Sequence, residues 1–205
     1  MNFQKLLDEE IELIKDREVK PKLLLHACCG PCSSYVVEYL SKFFDITIYY
    51  YNPNTYPEVE FNRRLDELNK FISSFNNKIK VVEENYNPIE FYNNIKGLEH
   101  LGEKSRRCYN CYKLRMNKAA LYAKENNFDY FTTTLSISPY KNANWINEIG
   151  SKLENKIGIK YLYSDFKKKD GYKRSLELSK EYGLYRQEYC GCVYSKQERE
   201  TIVKI

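Results

Sequence analysis

The sequence contains no long hydrophobic segment. Hydrophobic residues make up 42% of the 205 residues and charged residues 30%, and no apolar run approaches the roughly 20 residues that span a bilayer. Residues 1–20 also lack the apolar core and the small-residue cleavage site of a secretion signal. These absences argue against a membrane protein and predict a cytoplasmic protein that is not exported.

Linkers and repeats are missing too. No stretch is rich in Gly and Ser, no segment is of low complexity and no internal repeat is present, so no domain boundary is indicated. We therefore expect residues 1–205 to form a single domain, which is long enough to bury a hydrophobic core.

The sequence does contain seven cysteines in three short clusters. They lie at residues 28–32 (Cys-Cys-Gly-Pro-Cys), 108–111 (Cys-Tyr-Asn-Cys) and 190–192 (Cys-Gly-Cys). In a reducing cytosol, cysteines are more typical of metal binding or catalysis than of structural disulfides, and the odd number agrees with this. The sequence therefore predicts a redox or metal centre built from thiols.

Predicted strands alternate with predicted helices. Strands are expected at 22–26, 46–51, 78–82 and 130–135, and helices at 33–44, 58–75 and 108–126. Such alternation predicts an α/β fold with a mostly parallel sheet covered by helices on both faces, and a site at the carboxyl ends of the strands. We expect the three cysteine clusters to converge there, with residues 86–107 and the cysteine-bearing C-terminal stretch 164–205 packing over the site.

The first two clusters supply the donors for a metal site. Cys28 and Cys29 with Cys108 and Cys111 provide four thiolates, enough for tetrahedral zinc or for a 4Fe-4S cluster. Spacing does not distinguish these, although the three remaining cysteines favour redox chemistry over a closed structural zinc site. A thioredoxin-like dithiol is the alternative for Cys29-Gly-Pro-Cys32, because this motif precedes a predicted helix.

The third cluster and two polar residues are further candidates. Cys190-Gly-Cys192 can close only a tight, strained disulfide, which is the labile and catalytic kind; metal ligation by both thiols is the alternative. His26, just before the first cluster, is a candidate hydrogen-bond donor. Asp165 is a candidate metal ligand or proton donor, with a helix cap or a surface ion pair as the simpler interpretation.

The charge is mildly basic. The formal net charge is +5, and basic residues are denser at 63–64, 104–107 and 167–169, which permits an anionic partner. A solvated lysine-rich face is the simpler interpretation of each run. The 20 tyrosines include aromatic rings that could stack on unpaired bases.

Six sequence blocks, in order over residues 21–195, resemble one known family. They are His26-Ala-Cys-Cys-Gly-Pro-Cys32, Tyr51-Asn-Pro-Asn54, Arg107-Cys-x-x-Cys-Tyr112 with Arg115, Thr132–Lys141, Asp165–Lys168 and Leu184–Cys192. The chain closely resembles the QueH-type epoxyqueuosine reductases. The resemblance implies an adenine nucleotide alpha-hydrolase-like (HUP) fold and the last step of queuosine synthesis, in which the epoxide of epoxyqueuosine in the tRNA anticodon loop is reduced.

The resemblance also implies cofactors and residue roles. It implies a 4Fe-4S cluster, no cobalamin and an external electron donor. The residues that match the cluster ligands are Cys28, Cys29, Cys108 and Cys111, and those that match the redox-active pair are Cys190 and Cys192. A second iron beside the cluster is also implied, with Cys32, Asp165 and one of the Cys190 pair as candidate ligands. Asp165 and His26 are the candidate proton donors.

An RNA substrate requires phosphate contacts, and the modified base has to leave its stack to reach the site. The expected phosphate contacts are Arg63, Arg64, Arg106, Arg107 and Lys141, and Tyr140 is expected to contact the substrate beside Lys141.

Two other functions compete with this one. An ATP-dependent tRNA thiolase of the same broad fold would have a Ser-Gly-Gly-x-Asp-Ser phosphate loop after the first strand, where this chain has its first cysteines. A zinc-stabilised RNA-binding module would bind tRNA without turnover.

Overall fold

A parallel sheet of five strands forms the centre of the protein in the computed structural model, which describes residues 2–203. The strands are β1 Lys22–His26, β2 Asp45–Tyr50, β3 Lys80–Glu83, β4 Tyr130–Thr133 and β5 Lys160–Tyr161. Their order is β3-β2-β1-β4-β5, with parallel pairing between all neighbours. This confirms the predicted α/β class and is consistent with a HUP fold. The single-domain prediction also covers Met1, Lys204 and Ile205, which lie outside the described residues.

Eight α-helices accompany the sheet in the same described range. They are α1 Phe3–Ile14, α2 Gly30–Leu40, α3 Glu58–Phe75, α4 Pro88–Asn94, α5 Arg106–Glu125, α6 Ala143–Ile157, α7 Gly171–Glu181 and α8 Val193–Val203. A 3₁₀ turn, Thr134–Ile137, follows β4. Between residues 2 and 203, none of the helices combines the length and the apolar character required to cross a membrane.

The central strand β1 is buried on both faces. Leu23, Leu24 and Leu25 have no exposed surface, and successive side chains of a strand point to opposite faces. Leu23 and Leu25 belong to one core cluster, which includes side chains of α1, α2 and α3, whereas Leu24 belongs to another, built with α5 and α6. Helices therefore cover both faces of the sheet, as the sequence predicts.

The carboxyl ends of β1, β2 and β4 meet at one edge. The parallel register pairs His26 with Tyr49 on one side and with Thr133 on the other. Beyond the strand, the Ala27 amide donates to the Tyr49 carbonyl (3.0 Å), and the Asn52 side chain donates to the Ala27 carbonyl (2.9 Å). These bonds join the loops after β1 and β2 at the point where the first cysteines leave the sheet.

The C-terminal segment returns to this edge across α3. The Tyr185 amide donates to the Glu67 carboxylate (3.0 Å), and Arg64, one turn earlier in α3, donates to the Cys190 carbonyl (3.1 Å). The segment then enters α8. The cysteine-bearing C-terminal extension therefore packs at the strand edge.

The start of α2 and the end of β4, both near this edge, differ from the sequence prediction. Helix α2 begins at Gly30 rather than at residue 33, because Pro31 suits the first turn of a helix, and Cys32 consequently lies on that turn. Strand β4 ends at Thr133 rather than at residue 135. The Thr133 hydroxyl accepts a hydrogen bond from the Leu135 amide (3.2 Å), which caps the 3₁₀ turn.

Gly150 tests how closely α6 packs on the sheet. A Cβ at this position would lie 2.2 Å from the Tyr161 ring of β5. Gly150→Ala should therefore lower the free energy of unfolding by about 1–3 kcal/mol, because overpacking outweighs the gain in helix propensity. Urea denaturation followed by circular dichroism measures this change.

Gly102→Ala is the matched control, since a Cβ at Gly102 meets nothing within 4 Å. This substitution should change the free energy of unfolding by less than about 0.5 kcal/mol. Equal effects of the two substitutions would contradict the close packing of α6.

Candidate functional site

The loop after β1 brings three thiols together. Cys28 and Cys29 precede α2, Cys32 lies on its first turn, and the three sulfur atoms are all within 4.8 Å of one another. The Cys28 sulfur is 3.7 Å from the Cys29 sulfur and 3.7 Å from the Thr134 hydroxyl. Cys28 and Cys29 are buried, and Cys32 is partly exposed. Cys32 is therefore the member of this group that solvent reaches most easily.

The three thiols carry their charge unequally. Hydrogen bonds from the Cys29 and Cys32 thiols hold the pKa of Cys28 well below its ordinary value. The hydrogen bond of Cys29 to Cys28 raises the pKa of Cys29 to about 12. The hydrogen bond of Cys32 to Cys28 raises the pKa of Cys32 well above its ordinary value. One thiolate is thus held by two S–H donors. A bound cation is needed before all three can be thiolates, as metal ligation requires.

The second and third clusters line a common void. Cys108 and Cys111 lie on the first turns of α5 and, with Cys190 and Cys192, face a void of about 20 Å³. Burial raises the pKa of Cys111 to about 12 and also raises the pKa of Cys108. The rest of the wall of the void is formed by Asn54, Phe91, Glu103, Arg107 and Tyr112. Four thiols from two distant parts of the sequence therefore face one small space.

A larger cavity of about 330 Å³ shares Cys108 and Cys190 with this void. Cys32 also lines the cavity, so that its wall contains one cysteine from each cluster. Its tyrosines are Tyr112, Tyr140, Tyr172 and Tyr189. Its basic side chains are Lys104, Lys141, Arg186 and Arg199. Its acidic side chains are Glu103, Glu188 and Glu198. The cavity thus combines partly exposed thiols, aromatic rings and side chains of both charges.

Arg115 is a buried cation among these thiols. It is 2% exposed, and its Nη1 donates to Asn52 Oδ1 (3.2 Å), whereas Nε and Nη2 are buried without a hydrogen-bond partner among the described residues. Burial opposes the charge of Arg115, but its Coulomb interactions with Cys111, Cys190 and Cys28 raise its pKa. Unused buried donors are costly unless they face an anion. A thiolate-ligated metal or iron–sulfur group carries negative charge, so these residues fit such a group.

Comparison with known proteins identifies the family to which the chain belongs. The family model described as "Epoxyqueuosine reductase QueH" matches residues 23–198, a range that contains all seven cysteines. The chain belongs to the epoxyqueuosine reductase QueH family. The predicted family resemblance is thereby confirmed.

Individual QueH relatives match most of the chain. A protein named epoxyqueuosine reductase QueH from Streptococcus pyogenes is 42% identical, over 95% of this chain and 78% of the relative. The protein of the same name from Staphylococcus epidermidis is 40% identical, over 97% of this chain and 86% of the relative. The Thermotoga maritima protein of the same name is 35% identical, over 86% of this chain and 91% of the relative.

His26 is fully buried at the end of β1 in this QueH family member. Its Nε2–H donates to the Tyr51 carbonyl (3.2 Å), which leaves Nδ1 to accept from the Thr133 hydroxyl (2.8 Å). Burial lowers its pKa to about 3, so the imidazole is neutral at neutral pH. Both ring nitrogens have internal partners, which favours a structural role over the proton-donor role suggested by the sequence.

Asp165 follows β5 and forms an ion pair with Lys167, although this is not the surface ion pair of its simpler sequence interpretation. The residue is buried. Among the described residues it is not part of the wall of the 330 Å³ cavity. Its role as a metal ligand or proton donor stays a prediction.

The arginines predicted to contact RNA differ in orientation. Arg107 is buried and donates to the Glu99 carbonyl (3.1 Å) and to the Glu198 carboxylate (3.0 Å). Arg64 is also buried with internal partners. These contacts turn both guanidinium groups into the protein and away from a phosphate. Arg106 is exposed, and its phosphate contact stays a prediction.

Lys141 and Tyr140, the other predicted substrate contacts, both line the cavity. Tyr140 is 67% exposed, and the Lys104 ammonium lies 6.0 Å from the centre of its ring. Burial opposes the charge of Lys141, but its Coulomb interactions with Cys190 and Cys28 raise its pKa above the ordinary value. Lys141 is therefore a permanent cation within reach of both the thiols and the cavity.

Gln187 is a site residue that the sequence does not single out. Its Nε2 donates to the Cys29 sulfur (2.9 Å), and its buried Oε1 has no partner among the described residues. Gln187 also lines the cavity. The only available signal is its position inside the Leu184–Cys192 block, because one glutamine in a loop has no spacing pattern.

Arg115→Met tests whether the buried cation supports a bound group. Methionine removes the charge while keeping an unbranched side chain, so the affinity for the metal should fall by about 10–100-fold, the usual cost of losing a partner that supports metal ligands. Iron and sulfide analysis of protein purified without oxygen, with chelator competition, measures this. Lys113→Met, at an exposed position of α5, is the control and should bind like wild type. Wild-type affinity in Arg115→Met would contradict the fit.

Proposed function

We propose that this chain reduces epoxyqueuosine to queuosine in the anticodon loop of tRNA, the last step of queuosine biosynthesis. The observation that carries the proposal is the match of residues 23–198 to the QueH family. The cavity with a cysteine from each cluster supports it. The protein is accordingly an oxidoreductase.

The reaction defines what the site has to supply. Both epoxide C–O bonds break and the two carbons form a double bond, which consumes two electrons and two protons and releases the oxygen as water. Closure of a dithiol to a disulfide releases two electrons and two protons. We assign this closure to Cys190 and Cys192, which face the same void. An external electron donor then returns the disulfide to the dithiol.

The thiols of the first two clusters support a bound iron–sulfur group. Its ligands would be Cys28, Cys29, Cys108 and Cys111. The candidate ligands of a second iron are Cys32 and Asp165. When bound, the cluster supplies one-electron transfer and the iron supplies a Lewis acid for the epoxide oxygen. The unused donors of Arg115 support an anionic group at this place.

The cavity suits a base that has left its stack. Its volume of about 330 Å³ is at the lower end of the range for small-molecule sites, and the tyrosines of its wall can stack on a nucleobase. Tyr140 and Lys141 line it, and exposed Arg106 begins α5 nearby. These side chains would contact the substrate and its phosphates.

Binding to tRNA should depend on charge. Affinity should fall steeply as salt rises, because phosphate contacts release counterions, and Lys141→Ala should weaken binding and flatten this dependence. Lys42→Ala, at an exposed position just beyond the C-terminus of α2, should bind like wild type. Filter binding over a salt series measures both.

The activity itself is tested on the same tRNA. Protein purified without oxygen, given a reductant, should convert epoxyqueuosine to a nucleoside with one oxygen atom less, measured by mass spectrometry. Salt-independent binding, or equal activity on the free nucleoside, would contradict a tRNA substrate. ATP hydrolysis would favour the thiolase, and colourless zinc protein without turnover would favour the RNA-binding module.

Substitutions in the third cluster separate electron transfer from metal ligation. Cys190→Ser and Cys192→Ser should keep wild-type iron and sulfide and bind tRNA, yet lose repeated turnover, because a single thiol cannot close an internal disulfide. Cys28→Ala and Cys108→Ala should instead lose most of the visible iron–sulfur absorption. Metal analysis and multiple-turnover assays on the four variants measure this.

The alternative outcomes are distinct. If Cys190 and Cys192 ligate a metal, their variants should lose iron in proportion to activity. Full multiple-turnover activity in both serine variants would eliminate both roles and leave the Cys-Gly-Cys turn as a packing feature.

A further inference from the structure

Arg64 lies beneath the Cys190-Gly191-Cys192 turn. It belongs to α3 and is 2% exposed, although arginine is almost never fully buried unless it is paired. Its Nε donates to the Glu60 carboxylate (2.7 Å) one turn earlier. This ion pair holds the guanidinium in place and leaves its two terminal nitrogens facing away from Glu60.

Both terminal nitrogens bind the segment that carries the third cluster. Nη1 donates to the Cys190 carbonyl (3.1 Å) and Nη2 to the Tyr189 carbonyl (3.4 Å). The planar guanidinium can hold two neighbouring acceptors in a fixed geometry, which a lysine ammonium cannot reproduce. Arg64 therefore contacts the backbone of the turn directly at the residue that bears the first thiol.

The turn is shaped to fit over this side chain. Gly191 has φ +134°, a conformation that residues with a Cβ rarely adopt, and a Cβ there would lie 2.8 Å from Arg64 Nη1. The Gly191 carbonyl accepts from the Tyr56 amide (2.8 Å), and its amide donates to the Ser195 hydroxyl (3.3 Å). The glycine thus permits both the turn and the close approach of the guanidinium.

We propose that Arg64 is a positioning residue for the reaction: its two carbonyl contacts hold the turn so that Cys190 and Cys192 face one void and can close to a disulfide. The inference rests on the proposed redox role of this pair. Closure forms one S–S bond and releases two electrons and two protons to the epoxide reduction. A dithiol reductant reopens the bond and is itself oxidised.

Loss of the contacts should make closure less favourable. A turn that moves freely lowers the effective concentration of one thiol at the other. Arg64→Met should therefore shift the equilibrium between the two states toward the dithiol by about tenfold or more, which is about 30 mV for a two-electron couple. Arg64→Lys should show most of this shift, because one ammonium keeps the charge but not the paired carbonyl contacts.

The measurement uses full-length protein purified without oxygen and equilibrated in buffers of reduced and oxidised dithiothreitol. Alkylation, proteolysis and mass spectrometry then give the state of the peptide with Cys190 and Cys192, and iron is measured in the same samples. The matched control for this equilibrium is Arg63→Met. Arg63 is the exposed neighbour on α3 and lies 3.4 Å from the centre of the Tyr185 ring. In the described part of the chain, the hydrogen bonds from this arginine pair to the turn come from Arg64.

Each outcome is decisive. The positioning role is overturned if folded Arg64→Met has the same dithiol–disulfide equilibrium as wild type or is shifted toward the disulfide. It is also overturned if Arg64→Lys restores the wild-type equilibrium in full. If Arg64→Met does not fold, Gly191→Ala replaces it, since its Cβ displaces the same guanidinium, and a wild-type equilibrium there also overturns the role. A wild-type pair that never exchanges with dithiothreitol instead removes the redox function itself.

Discussion

The parallel pairing of β1 with both β2 and β4 is the constraint on which the site depends. Complete burial of Leu23, Leu24 and Leu25 on two faces keeps β1 in the middle of the sheet. Its carboxyl end then lies beside those of its neighbours, so that Cys28 meets Thr134 across 106 positions of sequence. Hydrogen bonds between protein groups join the loops at this edge, and the fold itself therefore positions the first thiols.

Three buried arginines determine the electrostatics around the thiols. Arg64, Arg107 and Arg115 are each 2% exposed. The first two have carboxylate partners, Glu60 and Glu198. Arg115 has two donors without a partner among the described residues, and negative charge on nearby cysteines is what favours its own charge. A buried cation is costly without an anion, and a buried thiolate is costly without a cation. Each therefore stabilises the other.

Sequence patterns predicted four of the five strands and three of the eight helices among the described residues, because those patterns reflect burial. The predicted bounds of α3, residues 58–75, agree with the structure, and KLLLH forms β1 in full. The orientation of Arg64 could not be predicted, since Arg63-Arg64 looks like an exposed basic pair in the sequence. Its partners are a backbone carbonyl 126 positions away and a glutamate one turn earlier. Contacts to distant atoms leave no trace in residue type or spacing, and the same holds for the contact of Gln187 with the Cys29 sulfur.

The two thiols of the third cluster are not equivalent. Cys190 is partly exposed and lines both the void and the 330 Å³ cavity. Cys192 is buried and lines the void, but it is not part of the described wall of the cavity. The Cys192 sulfur accepts a hydrogen bond from the Ser195 amide (3.4 Å) in the first turn of α8, and burial raises its pKa. A substrate in the cavity can therefore approach Cys190 but not Cys192. If the pair cycles between dithiol and disulfide as proposed, Cys190 would face the substrate and Cys192, behind it, would close the disulfide.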